Sequence, residues 1–374
     1  MSNTDSLIKP HVNRVLAYYE KHELAVSVWF FVLGFLFDMV TLDRIDSWST
    51  IGQQGFYLTL IFAALVQMFF EEGQPAPRLD KMFVLKRWFY EYRTALVHFS
   101  FGNLLNGYAL FFFKSSSLIV SFSFMISMAI LLVLNESHRF KKSGLTFKFA
   151  LLSLCFLCYF AYVTPVFARS ISVLVFLLSM VIGCMPLLAF GWWIQTYRET
   201  YFDRLKRQML VPMGLVLLSF LSLYVLKLIP PVPLSIPFIG IYHGVERSGE
   251  EFKLTHERPW WRLWHNGDQD FHAQRGDKIF VFFRIFSPAH FSDQVLIRWY
   301  WKDNRVGWAL QDSIGIKIVG GREEGFRGFG SKSNYQPGDW KVQVETTDGR
   351  EIGRVYFSLD IAPDEPRNFE SQIM

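Results

Sequence analysis

The sequence predicts a membrane α-helical bundle of about seven transmembrane helices, followed by an all-β antiparallel sandwich. Three observations carry this. Met209–Ile229 is a 21-residue apolar run whose single charge, Lys227, stands near its far end, long enough to cross about 30 Å of hydrocarbon at ~1.5 Å per residue. Upstream, similar runs recur. Downstream none does, and the hydrophobic period changes from helical to two.

The 374 residues are 51% hydrophobic and include 39 Phe, a balance suited to lipid-facing helices. Candidate spans are Leu24–Leu42, Gln54–Phe70, Thr94–Phe113, Leu118–Leu134, Leu145–Thr164, Ile171–Phe190 and Met209–Ile229. Cations fall in alternate loops: Lys9, Arg14 and Lys21; Arg78, Lys81, Lys86, Arg87 and Arg93; Arg139, Lys141 and Lys142; Arg198, Arg204, Lys206 and Arg207. The opposite loops hold only Arg44, Lys114 and Arg169. By the positive-inside rule the N-terminus is expected in the cytoplasm of a bacterial inner membrane and the C-terminal domain outside, in the periplasm. The first 23 residues are polar and the first apolar run has no small-residue cleavage site, so no cleavable signal is expected. Trp29, Trp48, Trp88, Trp192 and Trp193 fall mostly near span ends, and Arg78–Arg93 reads either as an interfacial helix or as a packed connection.

The expected organisation is a cytoplasmic segment 1–23, a transmembrane domain 24–229, a Pro-rich tether 230–250, an extracytoplasmic β-sandwich 251–361 and a tail 362–374. Pro230, Pro231, Pro233 and Pro237 favour an extended tether.

Polar residues inside spans are candidate functional groups. They are Asp38, and His98, Asn103 and Asn106 of the third span, which suit one bundle-facing side or ordinary interhelical hydrogen bonding. Cys155, Cys158 and Cys184 all fall within spans and read as packing residues. Gly183 and Pro186 are single interruptions, Pro212 belongs to a first turn, and no internal repeat of transporter type is evident.

In the soluble part, Lys278–Phe286 is apolar on both faces and reads as a central strand. Val295, Ile297, Trp299 and Trp301 form one face of the next strand, with Arg298, Tyr300 and Lys302 opposite. Asp303-Asn304 marks a turn into Val306–Leu310, and Ser313–Val319 alternates. Trp340, Val342 and Val344 point inward and Lys341, Gln343 and Glu345 outward. Asp348-Gly349 marks a hairpin into the strand of Val355, Phe357 and Leu359.

Gly320–Lys332 combines glycines with Arg322, Phe326, Arg327, Phe329 and Lys332, a composition suited to a carboxylate or phosphate or to stacking on a sugar. The alternative is a conformationally demanding loop with internally paired arginines. Trp260, Trp261 and Trp264 form a second candidate group, for an interface, a core cap or a glycan. His265, Asp268, Asp270 and His272 lie close in sequence, but Asn266-Gly267-Asp268 reads as a turn and no second ligand cluster accompanies it, so no metal is expected. G-x-S-x-G, H-E-x-x-H and P-loop motifs are absent, so catalysis has no positive support and no cofactor is implied. The alternatives to a binding module are a transporter or intramembrane enzyme with its site in the helical bundle, using Asp38, His98, Asn103 and Asn106, and a structural scaffold. The expected partners are the lipid bilayer and an envelope glycan, peptide or protein. From Met1 to Gly240 there are 20 Lys/Arg against 13 Asp/Glu, leaving 18 against 20 for the soluble part. The basic excess thus belongs to the membrane half, and no clustered basic face for nucleic acid is seen.

The order Ile297-Arg298-Trp299-Tyr300-Trp301, then Gly320-Gly321-Arg322-x-x-Gly325-Phe326-Arg327-Gly328-Phe329-Gly330-Ser331-Lys332, then Pro337-Gly338-Asp339-Trp340-Lys341-Val342-x-Val344, Asp348-Gly349 and Phe357 resembles the bacterial domain of unknown function 2914. The resemblance covers about Asp277 to Leu359. It implies a C-terminal domain of the kind often found behind membrane spans, and no activity.

Overall fold

The computed structural model describes residues 47–73, 84–115, 126–127, 130–131, 144–257, 261, 266–288, 291–320, 325–363 and 366–374. The expected spans Leu24–Leu42 and Leu118–Leu134 lie outside these or almost wholly so. Among the described residues five helices are long and apolar enough to cross a membrane. The chain divides into two compact units. One comprises Met1–Leu110, Phe124–Tyr159 and Ile182–Ser219; the other comprises Phe111–Ser123, Phe160–Val181 and Phe220–Met374.

The principal helices are α1 (Trp48–Glu71), α2 (Val84–Lys114), α3 (Leu145–Ala168), α4 (Val173–Tyr197) and α5 (Val211–Val225). Ser47 caps α1, its Oγ accepting from the Thr50 amide at 3.3 Å. The basic stretch before the third expected span is helical from Val84 and continuous with that span as α2. Pro212 is not in a first turn. Helical backbone begins upstream at Phe202, and a π-turn over Lys206–Leu210 precedes the proline. Pro212 has no N–H to offer residue 208, and a wider turn relieves the ring's clash with the preceding carbonyls.

In the first unit, α1 and α3 are pinned where the Tyr159 hydroxyl donates to the Ile51 carbonyl at 3.1 Å. The Gly183 Cα approaches α3 so closely that a Cβ there would lie 3.1 Å from Leu157 Cδ2 and 3.4 Å from the Phe156 carbonyl oxygen. Small residues permit such close helix contact. At the other end of α1, Arg204 donates to the carbonyls of Phe69 (2.6 Å) and Glu72 (3.0 Å), completing hydrogen bonds the helix C-terminus cannot make itself. The three cysteines are free and buried.

The second unit is mainly β structure. The strands are β1 (Ser235–Tyr242), β2 (Gly244–Ser248), β3 (Glu251–His256), β4 (Asp270–Ala273), β5 (Ile279–Phe286), β6 (Ser292–Asp303), β7 (Gly307–Val319), β8 (Phe326–Lys332), β9 (Gly338–Thr346), β10 (Glu351–Ile361) and β11 (Glu370–Ile373). They form sheets in the orders β4-β10-β9-β6-β7, β1-β5-β8 and β11-β3-β2. β4 runs parallel to β10, so the region is mixed rather than wholly antiparallel, and a third sheet joins the expected pair. The segment read as a tether becomes strands β1 and β2, and part of the tail becomes β11. The prolines end before β1 except for Pro237, which falls at the register shift between Ser235 and Phe238.

β5 is buried on both faces, as its sequence predicts. Ile279, Val281, Phe283 and Ile285 join Val295, Ile297, Trp299, Trp340, Val342, Val344 and Phe357 in the main core. Phe282 faces a second core with Tyr242, Phe252 and Leu254. The Asp348-Gly349 hairpin is present, with Gly349 at φ +78°, a conformation that favours glycine. Asp303 Oδ1 accepts from the amides of Arg305 (2.7 Å) and Val306 (3.0 Å), an Asx-type turn linking β6 to β7. Beyond it β7 is one strand rather than two, with a register shift opposite Trp299/Tyr300 absorbing the extra residue.

Two polar attachments fix the β structure to helix ends within this unit. The Asp293 carboxylate accepts from the Ile171 amide (2.7 Å) and Ser170 Oγ (3.3 Å) just before α4. Tyr224, in the last turn of α5, donates to Asp348 Oδ2 and stacks on Phe176 with 3.7 Å between centroids. α5 ends in a Schellman arrangement: Leu228 N donates to Leu223 O, Lys227 N to Tyr224 O, and Lys227 takes φ +58°.

Candidate functional site

The residues singled out in Gly320–Lys332 do not form one loop. Residues 321–324, Arg322 among them, lie outside the described structure. The rest form β8, whose alternation divides them. Phe326 turns toward the main core, and Gly328 and Gly330 are glycine because a Cβ would meet Phe283 at 2.9 Å and Ile297 at 3.1 Å. Lys332 is buried, ion-paired with Asp312, and 5.5 Å from the Trp340 ring. On the opposite face Arg327 donates to the carbonyls of Glu250 (2.7 Å) and Met374 (3.2 Å), and Phe329 is exposed beside Phe252 and Phe280. The strand thus has structural uses for most of the set.

Trp260 and Trp264 lie outside the described residues, as do Asp38 and His265, while Trp261 is exposed. His98 is buried on α2, Asn106 half-buried and Asn103 exposed, where its amide donates to the Phe99 carbonyl. The three do not share a face, because His98 and Asn103 stand ~140° apart on a helix. Lys148, buried near the start of α3, is a cation within an apolar helix that the hydropathy of its surroundings conceals in sequence.

Two polar groupings emerge, the first of which draws in Asp268 and His272 from the cluster noted in sequence. The first surrounds His243. Its Nε2 lies 3.4 Å from Glu257 and 3.7 Å from Asp268, and its ring stacks on Phe271 at 3.9 Å. Arg367 closes the group with two bonds to Asp277 (2.8 and 3.1 Å) and one to the His272 carbonyl. Burial, reinforced by Arg367, pushes the imidazole down to about 4 against the opposing pull of Asp277. At neutral pH it is an uncharged group within a charged lattice. No group of three or more metal ligands forms among the described residues. The bonds of this group join the chain near Arg367 to the β3–β5 region.

The second grouping lies on the solvent side of the five-stranded sheet. Pairing puts Leu310, Tyr300, Lys341 and Tyr356 in one row across β7, β6, β9 and β10. Trp308 on β7 and Tyr356 on β10 lean together over this row until their rings are 5.6 Å apart at 52°. The Lys341 ammonium lies 4.3 Å from the Tyr300 ring centroid and 5.3 Å from that of Trp308. Neighbouring cations are paired: Arg298 with Glu345, Arg354 with Glu351, and Lys302 with Asp339 at 2.9 Å. Lys341 is 9% exposed. Burial, with Arg354 nearby, lowers its pKa from the usual lysine range, opposed by Glu351 and Glu345. Trp308 and Tyr356 keep 37% and 39% of their surface exposed, and Leu310 keeps half. Such a notch, cationic at its base and aromatic at its lips, suits a small ligand with one flat apolar face and one acceptor. The signal available in sequence was the aromatic character of positions that alternation assigns to solvent.

Apolar helices followed by a β domain with an aromatic outer face define the class of protein. Residues 292–359 match the model of a protein family of unknown function, DUF2914, so the chain carries this domain in its C-terminal part. No curated protein matches the chain. Among solved structures it is similar to an immunoglobulin-like protein from Pseudomonas aeruginosa, with 12% identity over 34% of this chain and 98% of that one and a TM-score of 0.22. It is also similar to a β-glucosidase from Listeria innocua in complex with isofagomine (12% identity, 35% and 18% of the two chains, TM-score 0.17). A third is an alkylpurine DNA glycosylase from Pseudomonas fluorescens bound to DNA containing an abasic site analog (10% identity, 85% and 100%, TM-score 0.22). These likenesses bear on neither activity nor ligand.

Proposed function

We propose that this chain is a multi-pass protein of the bacterial inner membrane whose C-terminal β domain is exported and binds a glycan component of the cell envelope. Seven spans, two of them outside the described residues, put the N-terminus in the cytoplasm and the β domain in the periplasm. The five apolar helices and the alternation of loop cations support this topology. The observation that carries the binding role is the notch of Tyr300, Trp308, Lys341 and Tyr356 on the outer sheet face. Alkaline phosphatase fused after Ile361 should be active, and a cytoplasm-only fluorescent protein at the same point dark; the reverse pattern overturns the topology. For binding, detergent-solubilised full-length protein should co-sediment with protein-stripped peptidoglycan sacculi. A Trp308→Ala/Tyr356→Ala variant should lose most of that retention while its thermal transition is maintained. Absent retention, or retention indifferent to the double substitution, refutes the binding role.

A further inference from the structure

We infer that the notch selects an acidic saccharide: a sugar carboxylate seats against the Lys341 ammonium while the sugar ring lies on Trp308 and Tyr356. This rests on the glycan-binding reading above and names the ligand class. Three observations converge.

First, the ammonium forms no ion pair among the described residues: the nearby carboxylates Glu345 and Glu351 are held by Arg298 and Arg354. The Lys341 residue keeps 9% of its surface exposed, and its ammonium contacts the Tyr300 and Trp308 rings, which offer no hydrogen-bond acceptor of their own. An incoming carboxylate supplies the missing acceptor.

Second, the cations beside it are already committed. Arg298, Lys302 and Arg354 each hold a carboxylate on the same face, so an anion is drawn to the centre of the row rather than to its rim.

Third, the lips are aromatic and partly exposed. A free phosphate or acetate would use the cation but leave the rings wet. A saccharide offers a carboxylate and an apolar ring face together. An extended peptide would be expected at a sheet edge, where backbone pairing is available, whereas this notch opens on a sheet face.

The experiment is calorimetric titration of the full-length protein in detergent with hexagalacturonate, its fully methyl-esterified form, and acetate. The acidic oligomer should bind, and esterification should weaken binding by 10- to 100-fold, a comparison needing no variant. Lys341→Met should reproduce that loss, Lys341→Arg should restore part of it, and Trp308→Ala should cost at least 10-fold. Acetate should bind at least 100-fold more weakly than the hexamer. Equal binding of the acidic and esterified oligomers, or a silent Lys341→Met in a folded protein, overturns the inference. Failure of hexagalacturonate to bind while sacculus retention stays sensitive to the aromatic pair also overturns it, and leaves the glycan-binding reading standing. Sacculus retention indifferent to the aromatic pair defeats that reading itself.

Discussion

The phenol of Tyr224, in the last turn of α5, donates to Asp348 Oδ2 at 2.8 Å in the turn between β9 and β10. The Arg350 guanidinium completes the group, donating to the same carboxylate oxygen at 2.9 Å while lying 4.9 Å from the Tyr224 ring. Burial opposes the charge on Asp348, but Arg350 and the hydrogen bonds from Thr346, Tyr224 and Arg350 outweigh it and hold the carboxyl below its usual range.

Tyr224→Phe keeps the stack on Phe176 and removes one donor. It should cost about 1–2 kcal/mol, seen as faster amide exchange in the Thr346–Arg350 turn with little change in β5. Equal exchange in the two proteins would mean that the bond contributes nothing.

His243 sets an acid limit on the β domain. The native imidazole takes up no proton until about pH 4, whereas the unfolded one does so near 6.5. Between these values the unfolded state binds more protons, so stability should fall by roughly 3 kcal/mol as the pH drops from 6.5 to 4. Asp348, depressed in the native state, adds a loss at still lower pH. Thermal scans across this range should show a shallower acid slope in His243→Gln.

Arg367→Met leaves Asp277 without its bidentate partner and removes the bond to the His272 carbonyl. Loss of one member of a partly buried charged network should cost on the order of 2–4 kcal/mol. The loss should appear first as proteolytic sensitivity near β11, which comes directly after Arg367 in the chain and pairs with β3.

Gly183→Leu should separate α4 from α3, since a Cβ alone would already stand 3.1 Å from Leu157 Cδ2 and touch the α3 backbone, leaving no room for the rest of the side chain. A drop of several degrees in the melting temperature in detergent is expected, with Gly183→Ala milder.

Elements whose burial is decided by their own residues were legible in sequence. The five described apolar helices lie close to where hydropathy put spans, β5 shows the two-sided apolar pattern it was read from, and Asp348-Gly349 turns the chain. What failed depended on partners distant in sequence. The prolines of 230–237 look like a tether until β5 pairs with Ser235–Tyr242. Gly328 and Gly330 look like an anion cradle until Phe283 and Ile297 are placed against them. Trp308 and Tyr356 meet only because two intervening strands set their register, and the extra residue of β7, a bulge opposite Trp299/Tyr300, sets which side Trp308 takes. No local pattern records that bulge. His243 and Arg367 are likewise joined by topology alone.

Phe282 and Phe283 are neighbours in the chain yet belong to different cores, one on each side of β5. The strand is therefore a party wall. Damage on either side displaces the backbone that both sides share, and neither core has a reserve of its own to melt into. Unfolding of this part of the molecule should accordingly register as one sharp cooperative transition, with the core around Trp299 and Trp340 and the core around Tyr242 and Phe252 released together.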